Sequence, residues 1–342
     1  MVVVGRTRES GPTGRLGRYR ARDGSAGAPV DVDFDRPHAG LVVGKRGAGK
    51  SHTLGVLAEG LARARGVVPV VADPMGAFGG LGASPVGARV CEPRVRAGAL
   101  GPREWCRLLD LDPAGGPGGL VWRAASECET LTAMRAAVGD ADAAGACKRA
   151  AANHLDLAAA WDVFDPAGLD ATALTADPVV LDLSGRDRAP AGAVVAAVAT
   201  TLYEARLAGE GPLPWLLVDE AHALFDGVAA GPLRRLATRG RQPGVSLVAA
   251  TQRPGALPAV AVSQSDLLVA HRLTDRADRE ALVDARPTYF EGSLAERLPT
   301  RRGEALVLDD ATESAHAVRV RERETPHEGE SPRASREGGG DR

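Results

Sequence analysis

A loop of the form Gly-x4-Gly-Lys-Ser, running from Gly44 to Ser51, constrains this chain more than any other stretch. The apolar run Leu41-Val42-Val43 leads into it, and a helical pattern continues from it to about Arg65. A strand that ends in such a loop and restarts as a helix converges backbone N–H groups, and the positive end of the helix, on one spot. That arrangement suits the phosphate chain of a nucleotide. The candidate nucleotide-binding set is therefore Gly44, Lys45, Arg46, Gly47, Ala48, Gly49, Lys50, Ser51 and His52. Lys50 is expected to reach the β- and γ-phosphates of ATP, and the Ser51 hydroxyl to sit on Mg2+. With 42 glycines in the chain, the glycine spacing alone says little. Lysine says more, because only three of the 42 basic residues are lysines (Lys45, Lys50 and Lys148). A chain that otherwise uses arginine places a compact point charge here, where a planar fork would not fit.

The remaining pattern alternates strands and helices, with near-continuous apolar strand cores. This predicts an α/β fold with a mainly parallel central sheet. Strands are expected at Val67–Ala72, Pro178–Leu183, Leu213–Val218, Val245–Ala250 and Ser265–Ala270, with two closing strands near Glu304–Leu308 and Ala317–Val320. Helices are expected at about Ala189–Ala208 and Gly231–Thr238. Strand signals vanish over about 100–170, which reads as a helical insertion. Residues 1–38 read as a short N-terminal β segment, 39–321 as the main domain and 322–342 as a charged, disordered tail. Trp122 and Trp161 are expected as core anchors, and His154 as structural.

Composition narrows the function. A net charge of −2 gives no global attraction for nucleic acid, so any basic surface must be local. Arg15, Arg18, Arg20 and Arg22 form one such stretch, open between a phosphate contact and a solvated hairpin. Cys91, Cys106, Cys128 and Cys147 have neither metal-site nor C-x-x-C spacing and read as isolated thiols in a reducing compartment. With no leader-like segment and no long apolar run, a cytoplasmic location is expected.

Strand ends supply the second half of the site. Trp215 to Val218 followed by Asp219-Glu220 is a Walker B pattern. Asp219 is expected to hold the metal, and Glu220 to orient and activate the attacking water. Gln252, closing a later strand, can sense the γ-phosphate or the water. Arg239 and Arg241 are candidates for an arginine donated to a neighbouring subunit, or else surface or DNA contacts. Asp73, before Pro74, either faces the nucleotide or starts a turn.

Taken together, Gly44–Ser51, Asp73-Pro74, Leu216–His222, Gly240-Arg241-Gln242, Thr251-Gln252-Arg253-Pro254 and His271-Arg272-Leu273 resemble the HerA branch of the HerA/FtsK superfamily, over roughly 36–320. That resemblance implies a RecA-like ATPase core, a homo-hexameric ring, transport of double-stranded DNA and, for HerA proper, a NurA nuclease partner. It also implies that Arg241 is the trans-acting arginine and Gln252 the sensor. The chain departs from the family at its start, since residues 1–38 are too short for the N-terminal β-barrel that holds the ring and docks the nuclease.

Asp219-Glu220-Ala221-His222 also spells the DEAH-box helicase motif, but too little chain follows for a second RecA-like domain. Two alternatives remain. One is a conjugation- or secretion-type ATPase moving other cargo. The other is a nucleotide-binding regulatory module without transport.

Overall fold

The computed structural model describes residues 2–7, 10–20, 25–284 and 294–327. Twelve strands form one sheet. In chain order they are β1 Val2–Val4, β2 Thr13–Arg20, β3 Ala26–Asp33, β4 Ala39–Val43, β5 Val67–Asp73, β6 Arg89–Cys91, β7 Val179–Asp182, β8 Leu213–Val218, β9 Ser246–Thr251, β10 Leu267–Ala270, β11 Glu304–Asp309 and β12 Ser314–Val320. Their spatial order is β1-β3-β2-β12-β11-β10-β4-β9-β8-β5-β7-β6. From β10 to β6 every neighbour is parallel. The flank built from β11, β12 and β2 is antiparallel.

The parallel block forms because its strands are apolar on both faces and must be covered on both. Side chains alternate between two cores. Val42, Val71, Trp215, Leu217 and Val248 belong to one. Leu41, Val43, Val70, Leu216, Val218 and Leu247 belong to the other. The first face is covered by helix α1 (Lys50–Arg63), through Leu54, Val56, Leu57 and Leu61. The second is covered by the helices that follow. Those are α2 Pro102–Leu108, α3 Gly116–Glu127, α4 Leu131–Asp140, α5 Gly145–Ala160 and α6 Ala171–Thr175 of the insertion, then α7 Arg188–Leu207, α8 Ala221–Leu224 and α9 Ala230–Arg239. Helix α7 is buried along Pro190–Thr200, on all sides, which is why its apolar pattern has no polar face. The insertion carries its own buried side chains, Trp105, Val121, Met134 and Leu155, into that same second core.

The amino-terminal β segment joins the main sheet: β2 pairs with β12 (Arg18 opposite Arg319), so its strands extend the central sheet. Two expectations are corrected. The tail does not begin at 322. Glu59 of α1 is fully buried and accepts hydrogen bonds from Arg321, Glu324 and Thr325, binding 321–327 across the helix. Residues 328–342 lie outside the described residues, as does Arg22. Trp122 is not a core anchor: it is 36% exposed, on the outer side of α3, while Trp161 is half-buried against the core. All four cysteines are free. Among the described residues no helix is long and apolar enough to cross a membrane.

Candidate nucleotide-binding site

The loop Gly44–Gly49 leaves the carboxyl end of β4 at the centre of the sheet, where the parallel strands on either side, β9 and β10, also end. Its base is tied down on both sides. Gly44 N–H donates to the Thr251 carbonyl at 3.3 Å, and Lys45 N–H to the Arg272 carbonyl at 2.9 Å. Gly47 (φ 74°) and Gly49 (φ 125°) adopt backbone conformations that side-chain-bearing residues rarely take, and these curl the loop into the start of α1. The first N–H groups of α1 have no partner within the helix. Thr53 N–H is the first to bond back, to the Gly49 carbonyl at 2.9 Å.

His271 forms the floor beneath the loop. It is fully buried, and a Cβ added at Gly44 would lie 2.7 Å from its Cβ. Its Nδ1 lies 2.8 Å from the Glu304 carbonyl, which can only accept, so Nδ1 carries the proton. Nε2 then accepts from the Thr53 hydroxyl at 2.8 Å. Burial, with the nearby Lys50 charge, pushes its pKa down to about 4, so the ring is a neutral strut. The His271-Arg272-Leu273 motif thus supports the loop from below, a role that its position in the sequence does not reveal. His52 is turned aside: its ring bonds the Arg321 carbonyl at 2.8 Å, which leaves only its backbone to the loop.

The two sequence motifs meet. Ser51 Oγ–H donates to Asp219 Oδ2 at 2.6 Å, while Asp219 Oδ1 accepts the Glu220 N–H at 2.9 Å. Asp219 is 1% exposed, and burial raises its pKa despite the Ser51 and backbone hydrogen bonds. A desolvated carboxylate touching a hydroxyl oxygen is a donor pair that gains from a hard divalent cation, which needs only one or two protein oxygens beside phosphates and water. Ser51 and Asp219 therefore fit Mg2+. Lys50 is buried at the same point, its Nζ 3.5 Å from the Lys45 carbonyl.

Glu220 has φ 46°, a left-handed conformation costly for a residue with a side chain. Its Oε2 lies 3.4 Å from Gln252 Nε2 and 3.3 Å from His222 Nδ1. His222 in turn lies 3.2 Å from Thr251 Oγ1. Burial, then Arg253 and Lys50, lower the His222 pKa. The DEAH histidine is therefore part of the cluster around Glu220, although the sequence marks it only as a spelling match.

Asp73 is the turn-former. Its buried carboxylate accepts three backbone N–H bonds, from Met75, Ala77 and Phe78, and holds the β5 exit. Arg239 and Arg241 are exposed and are not brought to this cluster. Arg241 precedes β9, at the amino-terminal edge of the sheet, and its Nη2 lies 3.8 Å from Asp266, which caps the start of β4. His154 lies on α5, and no group of three or more His, Cys, Asp or Glu is placed to hold a metal among the described residues.

No family model and no curated protein matches this chain. Solved structures do. VirB4 of Thermoanaerobacter pseudethanolicus superposes with a TM-score of 0.69 and 18% identity, over 93% of this chain and 98% of that one. The bacterial conjugative coupling protein TrwBdeltaN70 gives a TM-score of 0.60 and 14% identity, over 94% and 91%. The fold is that of the RecA-like P-loop ATPases. At these identities the likeness is one of fold alone. Within that fold the strand ends of β4, β8 and β9 bring Lys50, Ser51, Asp219, Glu220 and Gln252 to one edge. Arg241 stands at the other.

Proposed function

We propose that this protein is a Mg2+-dependent ATP hydrolase whose turnover drives the movement of nucleic acid, with double-stranded DNA as cargo in the manner of HerA-like motors. The observation that carries hydrolysis is the meeting of Ser51 with Asp219 at 2.6 Å, with Glu220 as the next residue. Mg2+, when bound, screens the phosphate charge and fixes the phosphates. Lys50 and the loop N–H groups bind the β- and γ-phosphates. Asp219 and Ser51 would hold the metal. Glu220, held by Gln252 and His222, orients a water and takes its proton. A binder without turnover has no use for a carboxylate strained into the left-handed region beside the metal-binding aspartate.

Oligomerisation belongs to the same reading. Arg241 sits at the sheet edge away from its own phosphate loop, and strands of five or six residues separate the two by roughly 17–20 Å. It can complete a site only in another copy, which supports a ring, with six subunits as the resemblance implies. A NurA-like nuclease partner enters this reading through the family resemblance alone.

A second reading has a specific observation behind it. One of the similar structures is a conjugative coupling protein, which favours a conjugation-type ATPase moving other cargo. The test is ATP turnover with Mg2+ at low salt, with and without double-stranded DNA. Stimulation by DNA supports the DNA motor. Turnover indifferent to double-stranded DNA favours other cargo, and binding without turnover favours a regulatory module.

A further inference from the structure

The basic stretch on β2 remains outside the nucleotide site, and the fold gives it company. A cavity of about 650 Å³, within the range of ligand pockets, opens between β2, β12 and the segment entering β11. Six arginines line it: Arg15, Arg18, Arg20, Arg301, Arg319 and Arg321. Two carboxylates, Glu304 and Glu322, also line it. Three of the arginines are neutralised: Arg15 by Asp31, Arg20 by Glu304 at 2.6 Å, and Arg321 by Glu59 at 2.6 Å. Arg18, Arg301 and Arg319 have no carboxylate within 4 Å among the described residues. Arg18 has only a 3.4 Å contact to the Gly27 carbonyl.

The register sharpens this. Arg18 and Arg319 are directly opposite one another in the antiparallel β2–β12 pair. Like charges at opposed positions repel and weaken a sheet. An anion between them turns that repulsion into two attractions, and the guanidinium fork matches phosphate geometry. Arg301 lines the same cavity, so three guanidiniums without a carboxylate partner among the described residues offer more than one position for a phosphate.

We propose that this cavity binds consecutive backbone phosphates of a nucleic-acid strand. The choice of nucleic acid over another polyanion rests on the cargo proposed above; the anion site itself does not. The site also touches the nucleotide loop, since Gly303 N–H, two residues after Arg301, lies 3.4 Å from the Ala48 carbonyl. A strand held at Arg301 therefore lies one segment from the phosphate loop, a short route for cargo to influence turnover.

The experiment measures oligonucleotide binding by fluorescence anisotropy, without nucleotide, across a salt series. It compares the wild type with the triple variant Arg18→Ala/Arg301→Ala/Arg319→Ala. Each phosphate contact contributes about 0.7 (single strand) to 0.9 (duplex) to the slope of log affinity against log salt. The triple variant should therefore flatten the slope by about 2 to 3 and weaken binding at low salt. Thermal melts check folding: with no oligonucleotide the triple variant should melt no lower than the wild type, because a repulsion has been removed. An unchanged salt slope in a folded triple variant overturns the proposal. So does a wild type that binds inorganic polyphosphate but no oligonucleotide, which would mark a site for free polyphosphate. Because no nucleotide is present, these outcomes do not depend on whether ATP is hydrolysed.

Discussion

Gln252 Nε2 lies 3.4 Å from Glu220 Oε2, so the residue that closes β9 and the residue after the Walker B aspartate share one carboxylate oxygen. The same oxygen lies 3.3 Å from His222 Nδ1. Gln252 and His222, from two adjacent strand ends, thus fix the Glu220 carboxylate beside Ser51 and Asp219. A Gln amide that bonds either the carboxylate or an incoming γ-phosphate gives the site two arrangements. A nucleotide that draws Gln252 away would release Glu220 toward the water.

His222 is predicted to position Glu220 rather than to touch substrate. His222→Ala should lower kcat by roughly tenfold, less than the loss from removing a general base outright, and leave the affinity for ATP within about twofold. Steady-state turnover with equilibrium nucleotide binding checks this. An unchanged kcat would mean that Gln252 alone suffices to hold the carboxylate.

Two buried histidines predict the pH profile of stability, with opposite signs. His271 has a folded pKa of about 4 against 6.5 unfolded. Its contribution is complete above pH 6.5 and is lost as the pH falls toward 4. For His38, burial alone would lower the pKa, but a hydrogen bond to Asp266 and the Asp33 carboxylate 3.8 Å away outweigh it and raise the value to about 9. Its contribution is complete below pH 6.5 and is lost as the pH rises toward 9. Each shift of 2 to 3 units corresponds to about 3 kcal/mol. Urea melts should show stability falling on both sides of about pH 6.5, and His38→Gln should flatten the alkaline limb while leaving the acid limb in place. A His38→Gln profile parallel to the wild type above pH 7 would contradict the assignment.

Glu59 should behave as a clasp. Its carboxylate accepts Arg321 Nη1 at 2.6 Å, Thr325 Oγ1 at 2.7 Å and the N–H groups of Glu324 and Thr325, both at 2.9 Å. Removing one partner of a buried, hydrogen-bonded pair costs about 3–5 kcal/mol. Glu59→Ala should lose that much in denaturant unfolding, and trypsin should then cut at Arg321 and Arg323 before the domain unfolds. Protection of those sites in Glu59→Ala would show that the His52–Arg321 contact holds the segment unaided.

The sequence was informative wherever a function is written in adjacent residues. The phosphate loop, the Asp219-Glu220 pair and the apolar strand runs are local patterns, and the parallel sheet follows from them. What it did not show are pairings between distant segments. Nothing near Arg18 announces that Arg319 will face it, and nothing near Glu59 announces a carboxy-terminal segment in need of an anchor. The charged composition of 322–327 reads as tail because its partner lies more than 260 residues away. Trp122 shows the converse: a large aromatic in a helical pattern reads as core, yet on α3 it is 36% exposed. His271 stood in a recognisable motif, but only the three-dimensional contact with Gly44 and Thr53 shows that it props the loop.

The most direct test of the account is the turnover of Glu220→Gln. The variant keeps the shape and volume of the side chain and removes the base. With Mg2+ it should bind ATP like the wild type and hydrolyse it at least roughly tenfold more slowly. A Glu220→Gln protein that turns over at the wild-type rate would contradict hydrolysis by this site.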